Sequence, residues 1–463
     1  MFFQHVYEKG LAMGSYVIGC QATGEAMVID PKRDIDTYLD IASKNKLQIT
    51  HISETHIHAD FLSGSRELAE VTGAKMYLSN EGGPDWQYEF EHVSVKDGDE
   101  IKVGNLSFTI MHTPGHTPES ISLILRDKPA SSEPVMIFTG DFVFVGDIGR
   151  PDLLEKAAGI LGTKEEGAKQ MFQSLKKFNT LPQFLQVWPA HGAGSACGKA
   201  LGAVPSSTVG YELKRNWAFQ FGSNENDFIS TLLNNQPEPP KYFAMMKRLN
   251  KIPRKLLCEV PEVKQLGKDE FLTIYKQGIT VLDTRSKFEF AKGFIPGSLN
   301  IPNNGAFSNW CGWMLKYDKP FIAIADPACI NDIMRKLMRI GLDNLIGFVA
   351  DINTPGLLLD QYTPLTIEAF EKAVNTKAAQ IVDVRSFSEF TNGHIENATH
   401  VFLGTLEDNL DKISKDKDII VHCQAGDRSS LAYSILRKNG FKHVMNFIGG
   451  MEEWKTAGNA VNM

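Results

Sequence analysis

A six-residue segment that returns after 100 residues does most to restrict how this chain can fold. Val281-Leu282-Asp283-Thr284-Arg285-Ser286 reappears as Ile381-Val382-Asp383-Val384-Arg385-Ser386. The echo continues: Phe290 matches Phe390, Gly293 matches Gly393, Ile295 matches Ile395 and, more loosely, Gly341 matches Gly440. Self-similarity at a fixed spacing means that one structural unit is present twice in tandem. Each copy alternates strand and helix patterns, which predicts a small α/β domain on a parallel sheet. The copies are expected over residues 259–355 and 364–463, meeting near Thr354-Pro355 to Thr363-Pro364.

The chain before the repeat is long enough for a further domain, expected over residues 1–240. It alternates β-rich runs (Ala26–Ile29, Ile49–Ile52, Leu106–Ile110, Val135–Phe138, Phe184–Val187) with helical stretches. The polar, Pro-rich run Asn234-Asn235-Gln236-Pro237-Glu238-Pro239-Pro240 reads as a linker or a domain end. A 43% hydrophobic share supplies ample apolar surface to bury, which excludes wholesale disorder. No apolar run is long enough to span a membrane, and Met1 to Cys20 lacks the pattern of a signal peptide. A net charge of −7 argues against a nucleic-acid footprint, which needs a basic patch. The 6 cysteines are sparse and form no CxxC pair, so a cytoplasmic protein with one or two reactive thiols is expected, not a disulfide framework.

Four fragments of the first block carry metal-ligand chemistry. Thr55-His56-Ile57-His58-Ala59-Asp60-Phe61 follows a strand, and residues two apart on extended chain point the same way, so His56 and His58 can face one site beside Asp60. In His112-Thr113-Pro114-Gly115-His116-Thr117, Pro and Gly make a tight turn that delivers His116. Phe138-Thr139-Gly140-Asp141 ends an apolar run in a carboxylate, and Pro189-Ala190-His191-Gly192 follows Trp188. Each fragment is weak alone; in this order they are specific.

This set resembles the metallo-β-lactamase fold over the whole first block. The family pattern HxHxDH departs here in its last position, where Phe61 stands. The binuclear zinc hydrolases of the fold place that His on their second metal, so one metal is expected. Within the fold the chain is similar to the persulfide dioxygenases. That resemblance assigns a single Fe(II) to His56, His116 and Asp141, and leaves His58, Asp60 and His191 beside the centre, orienting its ligands through hydrogen bonds. Two imidazoles and one carboxylate with open positions suit non-haem Fe(II), and zinc has no redox change to offer. Arg150, in a Gly-Arg-x-Asp segment also found in that group, is a candidate substrate contact or a partner of Asp152. Cys197 and Lys199 lie in a Gly-rich loop suited to an anionic thiol substrate; Lys199, if close, would lower the Cys197 pKa. Lys214 and Arg215 are further candidates for an acidic cosubstrate or ordinary surface charge.

The second copy carries a thiol constellation. Ile419-Ile420-Val421-His422 reads as a buried strand running into Cys423-Gln424-Ala425-Gly426-Asp427-Arg428, with a helix from about Ser430. A Cys at a strand-to-helix turn faces free backbone N–H groups, which stabilise a thiolate or a bound persulfide anion, and Arg428 adds positive charge. The Cys-x4-Arg spacing resembles rhodanese sulfurtransferases, not the Cys-x5-Arg phosphatases. Asp383-Val384-Arg385, Gly393-His394-Ile395, Gly449-Gly450 and Trp454 support that likeness. In the first copy Asp326 stands where the nucleophile should be, and a carboxylate cannot carry a persulfide sulfur. That copy reads as a degenerate rhodanese, with Cys329 displaced from the expected place.

The whole chain therefore resembles the bacterial persulfide dioxygenase–rhodanese fusions: a metallo-β-lactamase αββα sandwich followed by two rhodanese-like α/β domains. The resemblance implies oxidation of a low-molecular-weight thiol persulfide by O₂ to sulfite and thiol, with Cys423 exchanging sulfane sulfur between sulfite and thiosulfate. The thiol is open between coenzyme A, glutathione and bacillithiol. A homo-oligomer, dimer or tetramer, is expected. The competing expectation is a binuclear zinc thioester hydrolase of the glyoxalase II type fused to a sulfur carrier; a third is a non-enzymatic sulfur-binding platform.

Overall fold

Two six-stranded sheets face one another in the first part of the chain. The first runs in sequence order through β1 (Phe2–Glu8), β2 (Met13–Cys20), β3 (Glu25–Ile29), β4 (Gln48–Ser53), β5 (Lys75–Ser79) and β6 (Val93–Val95). The second contains β7 (Glu100–Val103), β8 (Leu106–His112), β9 (Ile121–Asp127), β10 (Met136–Gly140), β11 (Gln186–Pro189) and β12 (Ser207–Thr208), again in sequence order across the sheet. Alternate side chains of each strand point to opposite faces, so each sheet buries two layers. Tyr16, Ile18, Met27 and Ile29 meet Phe108, Ile110, Leu123 and Phe138 between the sheets. On the outer face of the first sheet Val17, Val28 and Ile52 pack with Tyr38, Ile41 and Leu68 of helices Asp36–Lys44 and Ser65–Thr72. On the outer face of the second, Ile124, Ile137 and Val187 pack with helices Thr163–Phe178 and Glu225–Leu233. Each such fully buried aliphatic or aromatic side chain contributes roughly 1.5–3 kcal/mol. The expected αββα order is present.

This computed structural model describes residues 1–153, 155, 163–195, 197–198, 201–234 and 236–463. The chain divides into two units, residues 1–261 with 338–341, and residues 262–337 with 342–463. The first unit continues past the Pro-rich stretch into helix Phe243–Lys251, which buries Phe243, Met246 and Asn250. Among the described residues no helix is long and apolar enough to cross a membrane.

The second unit holds two four-stranded parallel sheets of the same order. One is β14-β13-β15-β16 (Leu299–Asn300, Thr280–Asp283, Phe321–Ile324, Leu345–Val349) and the other β18-β17-β19-β20 (Thr399–His400, Gln380–Asp383, Ile419–His422, Val444–Phe447). The repeated Asp-x-Arg is a latch. Arg285 Nη2 donates to Asp283 Oδ2 at 2.6 Å and to the Gly293 carbonyl at 2.8 Å; Arg385 Nη2 does the same with Asp383 at 2.6 Å and Gly393 at 2.9 Å. In each copy this ties the strand end to the end of the next helix, so the repeated residues are structural. Gly341 and Gly440, with φ of +71° and +83°, occupy the left-handed region just beyond helices Ile330–Met338 and Asp427–Lys438. The latter helix begins at Asp427, earlier than the expected Ser430. Gly426 takes φ +94° to turn the chain, and Asp427 places an anion at the positive helix end.

Candidate metal centre and thiol loop

The four fragments sit at the ends of β4, β8, β10 and β11, which bring them to one place. His56, His116 and Asp141 offer ligand atoms all within 4.8 Å of one another, and all three are buried. His116 Nε2 lies 3.4 Å and His56 Nε2 3.9 Å from Asp141 Oδ2. His56 Nε2 and both Asp141 carboxylate oxygens are buried without a hydrogen-bond partner. Buried polar atoms are nearly always paired, so three orphans converging on one point fit a cation. His116 Nδ1 is 3.0 Å from the Arg150 carbonyl; a carbonyl can only accept, so the proton is on Nδ1 and the Nε2 lone pair faces the site. Burial lowers His116, and burial with the neighbouring imidazoles holds His56 well below the usual histidine range. Burial thus favours the neutral form of both, the form that metal ligation requires.

His58 does not join them. Its Nε2 lies 3.0 Å from Asp30 Oδ1 and 3.1 Å from Glu54 Oε2. Burial alone would lower its pKa, but the two carboxylates carry it well above the ordinary value. His58 Nε2 is thus engaged by Asp30 and Glu54, with which it forms a further buried donor group, while its Nδ1 has no hydrogen-bond partner and its ring lies 4.2 Å from that of His56. The Phe61 ring is fully buried with its centroid 4.4 Å from the His58 ring, and it dries that side of the site.

A second donor triad adjoins the first: Asp60, His191 and Cys197, all buried. His191 Nε2 is 3.3 Å from Asp60 Oδ2 and 3.4 Å from Asp141 Oδ1, while its Nδ1 faces the Ala12 carbonyl at 3.0 Å. His191 Nε2 and both Asp60 oxygens lack hydrogen-bond partners. Burial, then the carboxylates of Asp141 and Asp60, push the Cys197 thiol well above its ordinary value. This is the reverse of the lowering expected from Lys199, which lies outside the described residues.

The remaining basic candidates are Arg150, Lys214 and Arg215. Arg150 is fully buried and grips Asp152 with both arms at 2.7 and 2.6 Å, with Nη2 also donating to the Pro237 carbonyl at 2.7 Å. It braces the loop whose carbonyl orients His116. Lys214 and Arg215 are exposed in the last turn of helix Val209–Arg215.

In the second unit Cys423 follows β19, and its Sγ accepts the Gly426 N–H at 3.1 Å at the start of helix Asp427–Lys438. Arg428 is held bidentately by Glu389 at 2.6 and 2.7 Å, so its charge reaches Cys423 already partnered. A cavity of about 180 Å³ opens over the thiol. One wall is Cys423, Gln424 and Ala425; the other is Asn300, Asn304 and Trp310 of the first copy. Asn304 donates to Asp427 Oδ2 at 3.1 Å, Ser430 donates to Asn300 Oδ1 at 2.6 Å, and Lys287 lies 3.1 Å from Asp427 Oδ1 while donating to the Ala425 carbonyl. The degenerate copy thus shapes the thiol pocket of its neighbour. Its own Asp326 accepts the Ala328 N–H at 2.8 Å and caps the turn Pro327–Cys329.

Sequence reasoning passed over Asp30, Glu54, Glu389 and the first-copy wall. Only Glu389 left a local signal, the Ser386-x-x-Glu389 capping box, and that predicts a helix start, not an arginine partner.

Comparison with known proteins finds the same two kinds of domain. The metallo-beta-lactamase superfamily model matches residues 15–191 and the rhodanese-like domain model residues 366–457. A metallo-beta-lactamase crystal structure from Staphylococcus aureus subsp. aureus COL is 45% identical, covering 75% of this chain and 98% of that one with a TM-score of 0.70. Persulfide dioxygenase ETHE1, mitochondrial, of Bos taurus is 27% identical over 200 residues, 41% of this chain and 68% of its own length. Hydroxyacylglutathione hydrolase of Francisella tularensis subsp. novicida is 32% identical over 172 residues, 36% of this chain and 58% of its own length. Overall similarity therefore does not choose between the two activities.

Proposed function

Because the chain belongs to the metallo-β-lactamase superfamily and ends in a rhodanese-like domain, we propose that it is a persulfide dioxygenase–rhodanese fusion. The observation that carries this reading is the donor set: His56, His116 and Asp141 offer two buried imidazoles and one carboxylate within 4.8 Å of one another, while His58 Nε2 is engaged by Asp30 and Glu54 and Phe61 is apolar. His56, His116 and Asp141 would hold a ferrous ion, which would supply the redox chemistry for oxidising a sulfane sulfur with O₂ that zinc lacks. The chain does the rest: Arg150 and Asp30 fix the imidazoles through a carbonyl and Thr55, and the buried Phe61 ring keeps water from that flank. The substrate is a low-molecular-weight thiol persulfide.

At the second site Cys423 carries a sulfane sulfur as a persulfide, with the Gly426 N–H available to its anion. The sulfite lone pair attacks the outer sulfur; the new S–S bond makes thiosulfate, and the old one breaks with its electron pair on the Cys423 thiolate. The reverse reaction loads Cys423 from thiosulfate. One chain holding both sites raises the effective concentration of the shared sulfur species. The test is oxygen uptake by anaerobically iron-loaded protein given glutathione, coenzyme A and bacillithiol persulfides. One sulfite formed per O₂ consumed is expected; thioester hydrolysis without oxygen uptake refutes the reading.

One observation favours a second reading, a binuclear metallohydrolase. Asp60, His191 and Cys197 could hold a second cation, with Cys197 in place of the histidine lost at Phe61. Cobalt titration separates the two: a thiolate-to-cobalt absorption band that disappears in Cys197→Ser, together with thioesterase activity, would select the hydrolase.

A further inference from the structure

The loop from Glu54 to Gly64 carries His56, His58 and Asp60, is buried apart from a half-buried Ala59, and contains neither helix nor extended strand. Its peptide groups cannot pair with one another, and unpaired buried peptide groups are costly, so its shape must be imposed by other parts of the chain. Thr55 N–H is taken by Asp30 Oδ1 at 2.7 Å and Ile57 N–H by Glu119 Oε1 at 2.8 Å. In the second half of the loop Leu62 N–H donates to the Arg339 carbonyl at 2.7 Å and Gly64 N–H to the Pro31 carbonyl at 2.8 Å, and one side chain makes three further bonds. Asn250 Nδ2 donates to the His58 carbonyl at 2.8 Å and to the Phe61 carbonyl at 2.7 Å, and its Oδ1 accepts the Ser63 N–H at 2.8 Å. Arg254 adds a bond to the Ser63 carbonyl at 2.7 Å. Asn250 is 7% exposed, in the last turn of helix Phe243–Lys251, and lies 192 residues from His58 in the chain. That helix falls outside the segment matched by the metallo-beta-lactamase model.

We propose that Asn250 is a positioning residue of the metal centre, and that helix Phe243–Lys251 is a working part of it. The primary amide is the one small side chain that offers two donors and an acceptor from a single plane. It spans the turn from His58 to Ser63 and so sets where Asp60 and the Phe61 ring stand against the ligands. Asn250 touches no candidate ligand side chain; it acts through the backbone that presents them. The inference rests on reading His56, His116 and Asp141 as a metal site, but not on which metal fills it.

The test uses the full-length protein loaded with Fe(II) or, separately, Zn(II), and follows release of each metal to a chelator. Asn250→Ala is expected to speed release at least about tenfold, in the range seen when groups supporting metal ligands are removed. Asn250→Asp has nearly the same size but places an oxygen where two carbonyls need a donor, and it is expected to speed release similarly. Phe243→Ala, which empties a buried position two turns earlier on the same helix, should leave release within about twofold of wild type. A folded Asn250 variant that releases both metals at the wild-type rate overturns the proposal, as does equal acceleration by Phe243→Ala. If Asn250→Ala does not fold, Asn250→Asp decides by the same criterion. A wild-type protein that holds zinc but not iron defeats the dioxygenase reading and leaves the zinc measurements to judge Asn250.

Discussion

Replacing Glu389 with Gln tests how the thiol loop is held. Glu389 receives both arms of Arg428, at 2.6 and 2.7 Å, and also accepts the Ser386 N–H at 3.1 Å and the Ser386 hydroxyl at 2.9 Å. Burial alone would raise its carboxyl, but the Arg428 guanidinium and Ser386 bring it from 4.5 down to about 2. A carboxyl depressed in the folded state contributes stability that is complete above its unfolded value and is lost as pH falls through the folded one. Full linkage over that interval is worth roughly 3 kcal/mol. The Glu389 side chain is 33% exposed, and solvent screening reduces the net contribution to about 1–2 kcal/mol. Glu389→Gln should therefore lower the stability of the second unit by about 1–2 kcal/mol at pH 7. The gap should narrow between pH 4.5 and about 2, where the wild-type carboxylate itself protonates. Urea unfolding followed by the fluorescence of Trp454, in a protein whose other tryptophans are replaced by Phe, reads this unit selectively across the whole pH range, because Trp454 is buried in the second unit. A gap that is absent at pH 7, or that widens in acid, refutes the account.

Other outcomes follow from the two sites. Asp141→Ala should abolish iron retention and oxygen uptake, since Asp141 adjoins His56, His116 and His191, while sulfurtransfer at Cys423 persists; metal analysis and a thiosulfate assay check the pair. Cys423→Ser should remove sulfurtransfer and leave persulfide-dependent oxygen uptake in place, so undiminished sulfurtransfer would exclude Cys423 as nucleophile. Trp310→Ala removes the first-copy wall of the thiol cavity and should raise the KM for a thiol persulfide donor about tenfold, or ~1.4 kcal/mol, with little change for the small acceptor cyanide. Equal effects on both would mean that Trp310 supports the fold, not the pocket.

Much of this protein is written locally. The repeat at Asp283 and Asp383 predicts two parallel α/β domains because the Asp-x-Arg latch closes within a few residues of itself, onto Gly293 and Gly393. The metal fragments could be read because each is a strand end followed by a short turn, and strand ends are set by nearby apolar alternation and by Pro and Gly. Cys423 could be read for the same reason: its anion-binding geometry is made by the turn that contains it. The fates of His58, Cys197 and Arg428 could not. Spacing puts His58 beside His56, but Asp30 and Glu54 engage its Nε2 and favour its charged form. Burial and the carboxylates of Asp141 and Asp60, far from Cys197 in sequence, raise its thiol pKa. Arg428 is drawn to Glu389, 39 residues earlier, and the metal loop takes its shape from Asn250 on a helix beyond the Pro-rich stretch. Sequence fixes which chemical groups are available and the local turn each one rides on. Protonation, ligand choice and pocket shape depend on through-space fields and hydrogen bonds from distant parts of the chain, and those exist only once the chain has packed.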